Sequence, residues 1–328
     1  MYQFIETLKI TLVLFALILP SYALRKSKMI SKASVSGLVV ILLYACQPFL
    51  TIRAFVINPV SPALEIAENM GWVFLFAVIG QIVIFFAARL VFFRKKHDDA
   101  DKAKDRIYIY ASVFSNAGFI GIPFVAMLTR NDPYALIYAT VYNVVFQMLI
   151  WTLGVYIITG DIKAIRPLKA FLNPAIIPLI IALPMFFWPP SNIFAMEALK
   201  PLDKIVTYFA DMCAPLSMII VGIRMADVPL KDIFKGSNTY LSSGMKLIIA
   251  PALMFLLLLP LSYTALFAGE AAKYVLKVPV IMMAMPPAAT MIAMSERYNG
   301  DTDTALKVFV CCTLLSIITM PFIVLLSI

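Results

Sequence analysis

Ten stretches of roughly twenty apolar residues follow one another along the chain, with only short polar connectors between them. They run approximately from Phe4 to Leu24, Ser34 to Ile57, Gly71 to Phe93, Ile107 to Thr129, Ala135 to Ile158, Phe171 to Trp188, Ile205 to Ala226, Met245 to Ala265, Val275 to Met294 and Ala305 to Ser327. A helix needs roughly 20 apolar residues to cross a ~30 Å hydrocarbon layer. The pattern therefore predicts an all-α polytopic membrane protein of ten transmembrane helices. Composition agrees, since 62% of the 328 residues are hydrophobic, 14% are charged and mean hydropathy is +0.93. No connector is long enough to fold as a separate water-soluble domain.

The net charge of +9 is spread between the apolar stretches and makes neither a basic face nor an aromatic-studded groove for nucleic acid. Its distribution marks topology instead. Counted from the N-terminus, the odd connectors and their flanks carry 20 of the 27 Lys and Arg, including Arg94, Lys95, Lys96, Lys102, Lys104 and Arg106, and the even ones carry six. The positive-inside rule then predicts odd connectors in the cytoplasm and both termini outside, in the cell inner (plasma) membrane. The first stretch runs into Ser21-Tyr22-Ala23, which looks like a signal-peptide cleavage site. Arg25, Lys26 and Lys28 follow it at once, so an uncleaved first helix is expected. Cys46, Cys213, Cys311 and Cys312 lie inside the stretches and read as small apolar side chains, with no disulfide framework, metal spacing or cofactor motif. The single histidine, His97, beside Asp98, Asp99 and Asp101, reads as part of a solvated loop.

Prolines show a second order. Pro20, Pro48 and Pro123 are echoed by Pro184, Pro215 and Pro286 at offsets of 164, 167 and 163, and half the chain is 164 residues. Ala45-Cys46-Gln47-Pro48 also matches Met212-Cys213-Ala214-Pro215. A unit of five helices ends on the opposite side from where it began, so a second copy must be inverted. The expected units are residues 1–160 and 161–328, and paired interrupted helices in such repeats point to a binding site.

The fourth stretch contains Ser115-Asn116-Ala117-Gly118-Phe119-Ile120-Gly121-Ile122-Pro123, and the ninth contains Met285-Pro286-Pro287-Ala288-Ala289-Thr290. Proline lacks a backbone N–H and clashes with the carbonyl four residues back, so both helices should open there. In hydrocarbon the freed groups must be satisfied by protein, water or a solute. Bare N–H groups at the following half-helices would favour an anion, although freed carbonyls could hold a cation. Pro20, Pro184, Pro251, Pro260 and Pro321 lack such context and are expected only to kink their helices.

These motifs, together with Pro215-Leu216-Ser217-Met218-Ile219-Ile220-Val221-Gly222 and Glu296-Arg297-Tyr298, resemble the auxin efflux carrier family over nearly the entire chain. The resemblance implies two inverted five-helix repeats with helices 4 and 9 broken and crossing, and a scaffold part separate from a moving transport part. The family holds plant auxin exporters and bacterial permeases for small carboxylates such as malate or malonate. The connector Gly160 to Lys169 is short where the plant exporters often carry a long loop, which favours the bacterial permease type. Carried over, the resemblance implies a solute site around Asn116, Gly118, Gly121, Pro123, Pro286, Pro287 and Thr290.

Other polar residues in the stretches have two readings each. Asp211 is either a proton- or sodium-coupling acid or a hydrated group in the outer half of its helix. Gln47, Asn143 and Gln147 either bind solute or bond between helices. Arg53 either draws in an anion or serves the surface, and Arg224 and Lys246 are expected to snorkel to headgroups. The leading function is secondary transport of a small organic anion (malate, malonate or an auxin-like acid) by alternating access, with H+ or Na+ as candidate coupling ions. A solute sensor in the membrane, or a symporter of another solute class, stands as the alternative, and a homodimer is compatible with the layout. No nucleophile–base pair, metal cluster or P-loop supports an enzyme or an ATP-driven pump.

Overall fold

The computed structural model describes residues 2–31, 33–57, 63–93, 98–165, 176–196, 199–233, 236–267 and 269–327. Arg94, Lys95, Lys96 and His97, and the start of the sixth stretch at 171–175, lie outside them. Among the described residues the chain is helical throughout, with no β-strand. Seven helices are long and apolar enough to cross a membrane: α1 (Phe4–Lys26), α2 (Ser34–Val56), α3 (Leu64–Phe92), α6 (Pro133–Thr159), α8 (Pro201–Ala226), α9 (Ser237–Tyr263) and α12 (Thr302–Leu325). The sixth stretch gives the shorter α7 (Ile176–Phe187). The fourth is divided into α4 (Asp99–Val113) and α5 (Ala117–Leu128), and the ninth into α10 (Lys277–Met283) and α11 (Thr290–Arg297).

Helix starts follow local chemistry. The carboxylate of Asp98 accepts from the Asp101 N–H at 2.8 Å to cap α4, and Asp132, before Pro133, accepts from the Tyr134 N–H at 3.0 Å to cap α6. Gly160 ends α6 with φ of +71°, a left-handed turn suited to glycine. Three starts come earlier than expected: α3 begins at Leu64 rather than Gly71, α4 at Asp99 rather than Ile107, and α9 at Ser237 rather than Met245, because polar turns precede each apolar run within the same helix. Ser242 and Ser243 in that first part of α9 are buried.

Prolines leave a regular local signature. Wide, π-type turns at Leu42–Cys46, Ala117–Gly121 and Met245–Ile249 each end two residues before a proline, namely Pro48, Pro123 and Pro251. The ring displaces the carbonyl four residues back, and widening the turn relieves that clash. In packing, α8 lies along α1 and α2, and α7 along α2; α3 lies along α4 and α6; α10 lies along α9 and α6; α12 lies along α1 and α9. A Cβ on Gly222 of α8 would stand 2.5 Å from the Ile18 carbonyl of α1, so only glycine allows that close backbone approach. Cys46, Cys213, Cys311 and Cys312 are all free and buried in this apolar packing.

Candidate functional site

Where the fourth and ninth helices open, their backbones cross and hydrogen-bond to each other. The Asn116 N–H donates to the Pro286 carbonyl at 2.7 Å, and the Ala288 N–H donates to the Phe114 carbonyl at 3.0 Å. Ser115 and Pro287 face one another between these bonds as an antiparallel bridge. Four backbone groups that the breaks remove from helical ladders are thereby satisfied inside the protein. The central ladder position falls to Pro287, which has no N–H to donate and needs none there.

The carbonyls orphaned by proline are also answered. Pro123 cannot donate to Phe119 four residues back, and the Ser217 hydroxyl of α8 donates to that carbonyl at 2.7 Å. Pro287 cannot donate to Met283, and the Ser115 hydroxyl donates to that carbonyl at 3.3 Å. Ser115 in turn accepts from Lys246 Nζ at 2.6 Å. Lys246 sits in the wide turn of α9, is fully buried, and has the Met283 thioether at 3.9 Å as its other contact. Its expected snorkelling is therefore corrected. Its helix starts at Ser237, about nine residues earlier, and its ammonium is enclosed by protein and donates to Ser115 rather than reaching out of the bundle.

Beside the crossing, Gly118 faces two amides from other helices. A Cβ there would stand 2.5 Å from Gln47 Nε2 of α2 and 2.9 Å from Asn143 Oδ1 of α6. Asn116 is two residues away. Gln47, Asn116 and Asn143 are all buried, yet Gln47 Nε2 and Oε1, Asn116 Nδ2 and Asn143 Oδ1 have no hydrogen-bond partner within the protein. Leaving such atoms unpaired costs ~1–3 kcal/mol each. Gln147 is buried one turn further along α6. Gly121 and Pro123 are buried on the α5 side, and a Cβ on Gly121 would stand 2.8 Å from the Met282 sulfur, so this glycine serves the close approach of α5 to α10.

The ninth-helix side is different. Pro286 and Pro287 are buried in the ladder, and the Thr290 hydroxyl adjoins that of Tyr110 without a well-formed hydrogen bond. Met282, Met283 and Met285 fill the space around them.

Asp211 is not among the residues brought together. Its side chain is 61% exposed and pairs with Arg53 of α2. The buried face of α8 runs through Ala210, Cys213 and Ser217, and Asp211 lies off it. Under either expected reading, coupling acid or hydrated group, it lies away from the helix breaks, with Arg53 as its partner. Arg224 lies 3.6 Å from Glu296.

Two cavities open beside α10, of about 400 and 250 Å³, and both are lined by Lys277. Lys273 adds to the first and Arg130 to the second, so their walls carry positive charge.

The sequence matches the family described as "Membrane transport protein" twice, over residues 7–166 and 158–324. Over 158 residues it is 26% identical to a protein of Rhizobium meliloti (strain 1021) described as "Putative malonate transporter". That similarity covers 45% of this chain and 46% of the relative, so the chain spans about half the length of the curated relative it matches. The family match runs across both halves, and the chain belongs to the membrane transport protein family, which is the auxin efflux carrier family its motifs resemble.

Proposed function

We propose that this chain is a secondary transporter that moves a small organic anion by alternating access, with the solute bound at the crossing of the fourth and ninth helices. The observation that carries this reading is the meeting of unpartnered Gln47 and Asn143 atoms over Gly118, two residues from Asn116, whose Nδ2 is also unpartnered, next to the backbone ladder. Amide donors bind a carboxylate, and the unpartnered oxygens suit a hydroxyl or protonated carboxyl on the same solute. A short dicarboxylate of the malonate or malate class fits this mixed set, and the relative from Rhizobium meliloti bears a malonate name.

The architecture that goes with this function is ten transmembrane helices in two inverted five-helix units, residues 1–160 and 161–328, with both termini outside the cytoplasm of the inner membrane. The double family match and the half-chain spacing of the prolines support it. The packing of α1, α2, α7 and α8 gives one helix group against which the crossing helices and their neighbours could rock. The walls of the cavities beside α10, with Lys273, Lys277 and Arg130, would gather anions. A homodimer leaves this route unchanged, and coupling to H+ or Na+ is a separate property of the crossing.

Uptake of labelled malonate, malate and indole acetate into proteoliposomes tests the reading. Accumulation of at least one acid by wild type, lost in Asn116→Ala and reduced in Pro286→Ala, is expected. Binding without flux for every acid would sink it.

A further inference from the structure

Lys246 is the one group at the crossing that the proposed site does not yet use. Its three ammonium hydrogens meet one hydroxyl, Ser115 Oγ, and one weak acceptor, the Met283 sulfur. Tyr142 of α6, which shares the Met283 sulfur, and the neighbouring Cys312 of α12 carry no charge in their ordinary states. Among the described residues no carboxylate pairs with it. A lysine in the membrane interior is costly and is normally paired or set against a functional pathway. Here the missing partner is a negative charge.

The place of this lysine in the repeat makes the point sharper. At an offset of 165, within the range shown by the prolines, its counterpart on α3 is Gln81, which is buried with both amide atoms unpartnered. The two halves therefore carry one neutral amide and one cation at matching positions. Through Ser115 the cation is joined to the ladder one residue from Asn116, whose free Nδ2 belongs to the anion corner.

Resting on the reading of the site as an anion site, we propose that Lys246 is the resident positive charge of the crossing, the counter-ion of the solute carboxylate, and that the carrier consequently takes its anion without a co-bound sodium ion. A fixed ammonium already occupies the electrostatic role that a coupling cation would fill, and it repels a second cation from its surroundings.

The test uses the purified full chain with malonate, malate and indole acetate as probes, in detergent for melting and in proteoliposomes for uptake. Malonate is expected to raise the melting temperature of wild type. Lys246→Met should melt no lower than wild type without malonate, because the uncompensated charge is gone. It should lose the malonate-dependent rise and need at least about tenfold more malonate for half-maximal uptake, the worth of one charge-assisted contact. Lys246→Gln, which keeps a donor but no charge, should show the same loss, and Lys163→Met on the connector after α6 should match wild type. Replacing sodium by choline at constant ionic strength should leave wild-type uptake within about twofold. A wild-type malonate response in both Lys246 variants, or a strict sodium requirement in wild type, would overturn the assignment and leave the anion site standing. No response of wild type to any of the three acids would overturn the anion reading itself, and this assignment with it.

Discussion

The two helix breaks meet in one backbone ladder but are made of different material. The break between α4 and α5 falls at Phe114, Ser115 and Asn116, leaves the Asn116 Nδ2 unpartnered, and is followed by Gly118, over which Gln47 and Asn143 lean. The break between α10 and α11 is opened by Pro286 and Pro287 and is packed with Met282, Met283 and Met285. Backbone geometry is shared because both breaks must satisfy the same kind of freed groups, and each does so partly with the other. Side-chain chemistry is unshared: amides gather at the first break and thioethers at the second. On the proposed reading the first-half break does the recognising, while the second-half break holds the shape and, through Met283 and Ser115, the lysine.

The sharpest way to break this contrast is to fill the glycine corner. Gly118→Leu would push its side chain into Gln47 and Asn143 and is expected to abolish uptake while the protein still reaches the membrane; uptake near wild type would remove the corner from the pathway. Asn116→Ala deletes one donor to a charged group, worth ~1.5–3 kcal/mol, and should lower uptake about ten- to hundredfold, whereas Thr290→Val on the other break should change it less than about threefold. Equal losses in the two variants would erase the difference between the breaks. The serines that answer orphaned carbonyls compare the breaks in stability rather than transport. Ser217→Ala should cost ~1–3 kcal/mol, seen as a lower melting temperature, and Ser115→Ala should cost more because Lys246 also loses its acceptor. Smallest of all, Asp211→Asn removes a largely exposed ion pair with Arg53 and should leave uptake within about twofold and stability within ~1 kcal/mol.

Much of the framework could be read from residues alone. The apolar stretches, the prolines near Pro123 and Pro286, and the polar amides Asn116, Asn143 and Gln47 all carry local signals, and Gln47 and Asn143 meet at Gly118. What was hidden depended on neighbours. Lys246 looked like the start of a span because the apolar run begins at Met245, yet its helix starts at Ser237 with hydroxyl-bearing residues that pack against protein. The depth of a residue follows the helix, not the run of apolar letters. Asp211 could have been placed on the outer face from the buried spacing of Ala210, Cys213 and Ser217, a helical period that it does not share. The bonds of Ser217 to Phe119 and of Ser115 to Met283 join residues 98 and 168 positions apart, and no local pattern announces them.

The most direct test of the account is a structure of the protein determined with malonate. It predicts a carboxylate over Gly118, within about 3.2 Å of Asn116 Nδ2 and Gln47 Nε2. Malonate found only in the cavities beside Lys273 and Lys277, with the Gln47, Asn116 and Asn143 corner unoccupied, would contradict it.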